Sequence, residues 1–311
     1  MNTVIEGAAT LGDGFKVGHW TNQGSPTGCT VVIPPPGNVT SCDIRGSSPS
    51  TRELAHLDPD RKLTEVHAIL LTGGSAFGLA AAEGVVDWLS ARNIGYQTGL
   101  LPVPIVPAAV IFDLATGDPN VRPGRDGGRA ACDAASEGTV PTGRVGAGAG
   151  ATVGKWAGRE YLSPGGLGVA SLEDGPERVS ALAVVNAVGD VVGDNGVVIA
   201  GSTAPDADSR SAFRPAFPPP EQNAPANTVL AVVTTNAALD KRDVRWLAAR
   251  GSDGITISVR PAHTRYDGDV VFAVAAPPED AATATAPNLD VLGHLATRAV
   301  ASAVRNAAGL T

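Results

Sequence analysis

Ala226-Asn-Thr-Val-Leu-Ala-Val-Val-Thr-Thr-Asn236 turns abruptly from a proline-rich, polar run into an unbroken apolar and β-branched segment. Valine, leucine, alanine and threonine fill every position from 228 to 235, a composition that suits a pleated strand. There is no alternation of polar and apolar residues, so both faces of that strand need cover. A doubly covered strand belongs inside a layered α/β or α+β structure, between other sheets or helices.

The elements on either side are consistent with layers. Ala204 to Ala226 is polar and carries Pro215, Pro218, Pro219, Pro220 and Pro225, so residues 204–227 are expected to form a linker with no regular element. Beyond the strand, the pattern predicts a helix over Asp240 to Gly251, a strand over Val270 to Ala275 and a helix over Leu289 to Ala308. The last of these places Leu289, Leu292, Leu295, Ala296, Ala299, Val300, Ala303 and Val304 on one broad apolar face. Upstream, Val66 to Leu71 reads as a buried strand closed by Thr72-Gly-Gly. Ser75 is the expected N-cap of a helix reaching Arg92, with Phe77, Leu79, Ala82, Val85, Val86 and Leu89 as its apolar stripe. Pro102 to Leu114 reads as a loop feeding a strand at Ala109 to Leu114, and Gly127 to Ser136 as a short helix. Arg178 to Asn186 and Val197 to Ala200 read as strands around Gly189-Asp190. The piece after the linker is short and its strands are apolar throughout, so one layered domain over residues 1–311 is expected.

Composition bounds the function. The 311 residues are 43% hydrophobic and 17% charged, with a formal net charge of −8 and no basic run, which argues against nucleic acid as a partner. No apolar run approaches the roughly 18 residues of a membrane span, and Met1 to Gly14 lacks the basic and apolar regions of a secretory signal. A cytoplasmic protein with Cys29, Cys42 and Cys132 reduced is therefore expected. Those cysteines form no C-x-x-C pair and the five histidines no H-E-x-x-H pattern, so neither a metal nor another cofactor is expected.

Three familiar motifs come close and fail. Gly146-Ala-Gly-Ala-Gly-Ala151 approximates a dinucleotide loop but follows a turn-like segment and has no acidic residue about 20 positions on; close backbone packing is its expected role. Gly150-Ala-Thr-Val-Gly-Lys155 approximates a phosphate loop, yet Trp156 replaces the hydroxyl residue that would hold magnesium. Gly73-Gly-Ser-Ala-Phe77 approximates a nucleophile elbow, with phenylalanine in place of its second glycine.

The junction itself carries chemistry. Were the Asn227–Thr228 bond cut, Thr228 would become a chain terminus held by a sheet, with a hydroxyl to attack and its own α-amine to take the proton. Around it, a series of segments in order resembles the self-processing aminopeptidase family of L-aminopeptidase/D-amidases, β-aminopeptidases and nylon-oligomer (6-aminohexanoate) endohydrolases. They are Gly28 to Val32, Asp43-Ile-Arg-Gly46, Thr51-Arg-Glu53, Leu71 to Leu79, Val103 to Asp113, Gly146 to Lys155, Asn186, Asn227-Thr228 and His263 to Asp269.

The resemblance spans nearly the whole chain and is closest to the threonine-nucleophile branch. It implies a four-layer αββα sandwich like that of N-terminal-nucleophile hydrolases, with mixed central sheets. It also implies a precursor cut between Asn227 and Thr228 into an α chain, 1–227, and a β chain, 228–311. The matching positions make Thr228 the nucleophile and Lys155 the cation that lowers the threonine amine and orients its hydroxyl. Asn186 would donate to the oxyanion, and Asp267 and Asp269, on one side of an extended segment, would accept from the Thr228 hydroxyl and ammonium. Relatives with a serine nucleophile carry Ser and Glu in place of the two aspartates. Phe112 stands where the nylon-oligomer hydrolases have a tyrosine, so that hydroxyl is missing. The implied activity is hydrolysis of small peptides or amides by a homo-oligomer, a tetramer of αβ units. Two other readings remain open: an acyltransferase similar to ornithine acetyltransferase, and a non-catalytic scaffold of the same fold.

Overall fold

The structure, a computed structural model, describes residues 5–6, 9–205, 227–278 and 286–308. In chain order the framework strands are β1 (Ile5–Glu6), β2 (Lys16–Thr21), β3 (Gly28–Ile33), β4 (Val39–Ile44), β5 (Thr51–Arg52), β6 (Ile69–Thr72), β7 (Ala108–Val110), β8 (Gly166–Asp174), β9 (Glu177–Asn186), β10 (Thr228–Thr235) and β11 (Val270–Ala275). The helices are α1 (Ala81–Ser90), α2 (Arg125–Asp133), α3 (Lys241–Ser258) and α4 (Leu289–Ala308).

Two sheets form the middle of the molecule. One has the order β1-β8-β9-β10-β11-β4, the other β2-β3-β6-β7-β5. Both are mixed: β10 runs parallel to β11 and β6 parallel to β7, and the other pairs are antiparallel.

The period of two along each strand sorts side chains into three buried layers. Along β10, Val229, Ala231 and Val233 meet Val244, Leu247, Leu295 and Val300 of α3 and α4. Leu230 and Val232 point the other way, toward Ile69 and Leu71 of the second sheet and Ile111 just past the end of β7. On the far face of that sheet, Cys29, Val31 and Leu70 pack against Ala82, Val85 and Leu89 of α1 and Ala131 of α2. Helices, sheet, sheet, helices: the four-layer αββα architecture is present. Burying Val229, Leu230, Val232 and Val233 contributes at most about 6–12 kcal/mol, which anchors β10 independently of the peptide that precedes it.

Several boundaries differ from the sequence expectation. Ser75 is no N-cap: it lies inside a 3₁₀ turn, Ser75–Ala80, with φ +53 and no capping bond, and the α-helix begins at Ala81. Phe77 is not in the buried stripe; it is 60% exposed, beneath the Arg122 guanidinium. Helix α3 runs past Gly251 to Ser258, because glycine lets it approach its neighbours. A Cβ on Gly251 would lie 2.9 Å from Val271 Cγ1, and one on Gly254 2.4 Å from the Thr297 carbonyl oxygen. The strand expected at Ala109 to Leu114 is only Ala108–Val110. The expected Pro-rich linker falls, from residue 206 to residue 226, outside the described residues. Cys29, Cys42 and Cys132 are free and buried, and no helix among the described residues is long and apolar enough to cross a membrane.

Candidate active site

Thr228 opens β10 in register with Asn186, the last residue of β9. On its other side, Asn227 and Asp267 form a parallel bridge that prolongs the β10–β11 ladder. The Asn227 N–H donates to the Tyr266 carbonyl at 3.2 Å, and the Gly268 N–H donates to the Asn227 carbonyl at 2.9 Å. The Asn227–Thr228 peptide is therefore gripped from both sides and buried. The Thr228 hydroxyl folds back and donates to the same Asn227 carbonyl oxygen. That carbonyl is polarised by two donors, one a backbone amide and the other the hydroxyl of the residue that follows it.

Lys155 comes to this point from a tight loop. Gly154 has φ +72, and a Cβ there would lie 2.1 Å from the Ser202 nitrogen, so glycine is needed on both counts. Lys155 is 4% exposed, and its ammonium donates to Asn186 at 2.7 Å (Oδ1) and 3.1 Å (main-chain O). Burial pulls its pKa down to about 7, partly offset by the negative charge of Asp267 and Asp113 and reinforced by Arg159. Asn186 Oδ1 also accepts the Thr152 N–H, while Asn186 Nδ2 donates to the Phe112 carbonyl at 3.1 Å. The backbone donor on the Asn227 carbonyl is thus Gly268, and Asn186 is chiefly the acceptor that fixes Lys155.

The two aspartates flank Gly268 and are held differently. Asp269 Oδ1 accepts the Val229 N–H at 2.6 Å, and its Oδ2 faces His263. Asp267 Oδ2 accepts the Thr264 N–H at 2.7 Å, and its Oδ1 has no hydrogen-bond partner among the described residues. Burial, with the nearby Asp269 charge, pushes the Asp267 carboxyl well above the ordinary range, against the pull of Thr264 and Lys155. One carboxylate is thus fully engaged and the other retains a free oxygen beside the junction.

Three groups near the site carry no signal in sequence patterning. Gly268 acts through a backbone N–H, which every residue but proline has. Its tight surroundings are the only hint that glycine is required. His263 sits in a loop with no periodicity. Asp113 is buried, accepts from Thr27 Oγ1 and the Gly74 N–H at 2.7 Å each, and has its carboxyl raised chiefly by burial. Among the described residues, no group of His, Cys, Asp and Glu could hold a metal ion.

A family model described as peptidase family S58 matches residues 12–309. The chain belongs to this peptidase family. An uncharacterised aminopeptidase of Mycobacterium leprae is 43% identical over 300 residues, covering 88% of this chain and 79% of the relative. A 6-aminohexanoate-oligomer endohydrolase of Paenarthrobacter ureafaciens is 32% identical over 271 residues, covering 84% and 72%. Among solved structures, the L-aminopeptidase D-Ala-esterase/amidase of Ochrobactrum anthropi, a variant of the Ntn hydrolase fold, superposes with a TM-score of 0.74. It is 21% identical, covers 98% of this chain and 87% of its own, and so speaks for the fold. Membership in the family makes the chain a peptide- or amide-bond hydrolase, and the S58 peptidase assignment agrees with the segment-by-segment resemblance.

Proposed function

We propose that this S58 peptidase is a self-cleaving, N-terminal threonine hydrolase that cuts its own Asn227–Thr228 bond and then hydrolyses small peptides or amides with Thr228. The observation that carries the reading is the arrangement of the junction: a hydroxyl turned onto the preceding carbonyl, and an independent N–H, that of Gly268, on the same oxygen.

In the precursor, Thr228 Oγ1 attacks the Asn227 carbonyl carbon and its proton passes to a base. Lys155, with a pKa near 7 and two N–H donors engaged by Asn186, is free-base for a good part of the time at neutral pH and supplies that base. The oxyanion forms against the Gly268 N–H, a donor of the kind worth about 3 kcal/mol in a transition state. The C–N bond breaks, the Thr228 nitrogen takes a proton, and an ester links Asn227 to the Thr228 oxygen. Water then releases the Asn227 carboxylate and restores the hydroxyl. In the cut enzyme the α-amine of Thr228, of ordinary pKa about 7.7–8.0, takes over as base toward substrate. Asn186 holds Lys155 and turns its remaining amide hydrogen toward the substrate oxyanion, while the open Oδ1 of Asp267 receives the ammonium and Asp269 holds the Val229 N–H beside it.

The named aminopeptidases and oligomer endohydrolases among the relatives support hydrolysis over acyl transfer. The same proposal makes the enzyme a homo-oligomer of cut units, supported by apolar side chains left at the surface, Leu100 and Leu101 and the Val197–Ile199 edge. It also places the enzyme in a reducing compartment, supported by three buried free thiols. Intact-mass measurement of the purified chain tests the reading. Two fragments meeting at 227/228, with an acyl probe retained on the 228–311 piece, are expected; an uncut chain that still hydrolyses amides refutes it.

A further inference from the structure

His263 has φ +54, in the left-handed region, and this conformation places its ring between α3 and Asp269. Nδ1 lies 2.7 Å from Asp269 Oδ2, and Nε2 lies 3.2 Å from the Ser252 carbonyl oxygen of α3. The His263 main-chain N–H also donates to Asp269 Oδ2, at 3.2 Å. A carboxylate and a backbone carbonyl are both acceptors. Each ring nitrogen therefore needs a hydrogen, and only the imidazolium carries two.

The surroundings agree. The His263 side chain is 14% exposed. Burial and the Arg45 guanidinium, at the end of β4, oppose charging of the ring; the bond to Asp269, the charge of Asp269 and the Ser252 carbonyl outweigh them, and the pKa is raised. Arg45 is itself committed to Asp43 and Asp253, which limits its repulsion.

Asp269 is thereby fixed at both ends. The N–H groups of Arg45 and Gly46 hold its main-chain carbonyl at 3.2 and 3.3 Å. Its Oδ2 is held, among the described residues, only by His263, and that leaves Oδ1 for the Val229 N–H. Val229 is the first residue after the proposed nucleophile, so a swing of this carboxylate moves the peptide that carries Thr228.

We propose that His263 is a positioning residue of this site: as an imidazolium bridging Ser252 to Asp269, it fixes that carboxylate against the first peptide of β10 and so sets where Thr228 sits. The proposal rests on Thr228 being the nucleophile, and its test separates the two. His263→Asn and His263→Gly both accept a positive φ, but only asparagine keeps a donor near the place of Nδ1. The readout is the rate of the cut at 227/228 by intact mass after pulse expression, beside the thermal midpoint of each variant.

His263→Gly is expected to slow the cut by about 10²-fold, the scale set by a misplaced reacting group. His263→Asn is expected to stay within about tenfold of the parent, with the two midpoints alike. A His263→Gly chain that cuts at the parental rate, or a His263→Asn chain as slow as His263→Gly, overturns the proposal. Should His263→Gly not fold, nitrogen NMR on the histidine-labelled Thr228→Ala chain decides. At pH 7, above the ordinary histidine pKa of about 6.5, a predominantly doubly protonated His263 ring supports it and a ring with one bare nitrogen overturns it. A wild-type chain that is never cut refutes the Thr228 reading instead, and the NMR result still reports on the bridge.

Discussion

Replacing Gly268 by alanine is the most direct way to disturb the junction without touching an ionisable group. A Cβ at this position would lie 2.8 Å from the Ser48 carbonyl oxygen, 2.9 Å from Thr228 Oγ1 and 3.1 Å from Pro49 Cα. Ordinary contacts begin some half an ångström farther out, and two of the three neighbours are backbone, so the 267–269 turn has to retreat by about 0.5 Å. Retreat stretches the 2.9 Å bond from the Gly268 N–H to the Asn227 carbonyl toward a length at which little of it remains. It also pushes the hydroxyl off its line of approach. Loss of one such donor is worth about 3 kcal/mol in the transition state, or a little over two decades in rate. The assay is a time course of the 227/228 cut by intact mass, starting from a short expression pulse, with thermal unfolding as the control for folding. The expected result is a folded chain that cuts about 10²-fold more slowly. A folded alanine variant that cuts within about threefold of the parent refutes the role given to the Gly268 N–H.

Other expectations follow from the same geometry. Thr228→Ala remains a single uncut chain with no amide hydrolysis, and Thr228→Ser cuts, because serine retains the hydroxyl; a cut Thr228→Ala chain sinks the nucleophile assignment. Burial lowers the Lys155 pKa to about 7, so the free base grows as pH rises through that value. The self-cutting rate should climb between about pH 6 and pH 8 and then level off. Lys155→Met should cut slowly with no such climb, and a wild-type rate that is flat over this interval removes Lys155 as the base. Far from the site, the Lys241 ammonium donates to the carbonyls of His56, Arg61 and Leu63 at 2.6, 3.1 and 2.6 Å. Lys241→Met leaves those acceptors without their donor and should cost about 2–4 kcal/mol in denaturant unfolding, while the cut at 227/228 proceeds normally.

The parts of the fold that are legible in the sequence are those whose pattern reflects burial alone. Strands β10 and β11 and helix α4 match their expected bounds because each is apolar on every face that the layers cover. Strand β8 is harder to see. Gly166 and Gly168 weaken its signal, and glycine is there because α4 lies so close that a Cβ on Gly168 would be 2.1 Å from the Ala303 carbonyl oxygen. The overrun of α3 has the same cause at Gly251 and Gly254, residues that look like helix ends until their neighbours are known. At the site, resemblance brings Lys155, Asn186, Asp267 and Asp269 into view, and the structure gathers them about the Thr228 peptide. What no pattern conveys is which atom faces which: that Asn186 receives Lys155, that Gly268 meets the Asn227 carbonyl, or that His263 stands behind Asp269. Those facts depend on tertiary register and on main-chain groups common to all residues.

The parallel bridge between Asn227 and Asp267 would have a further consequence were the bond beside it cut as proposed. Under the proposed cut, the Asn227 carbonyl, which accepts the Gly268 N–H, would become a carboxylate in a segment where Asn227, Asp267 and Asp269 are all buried. A further buried carboxylate would add to the cost of ionising its neighbours, and the carboxyl of Asp267 is already pushed up by burial and by Asp269. The new carboxylate would be less favoured beside Asp267 and Asp269 than the neutral peptide was. On the proposed reading, the same cut would create the nucleophile and loosen the new chain end that lies beside it. Catalytic competence should appear in step with cleavage, with no separate activation event, and a lag between the two in a stopped time course would contradict this.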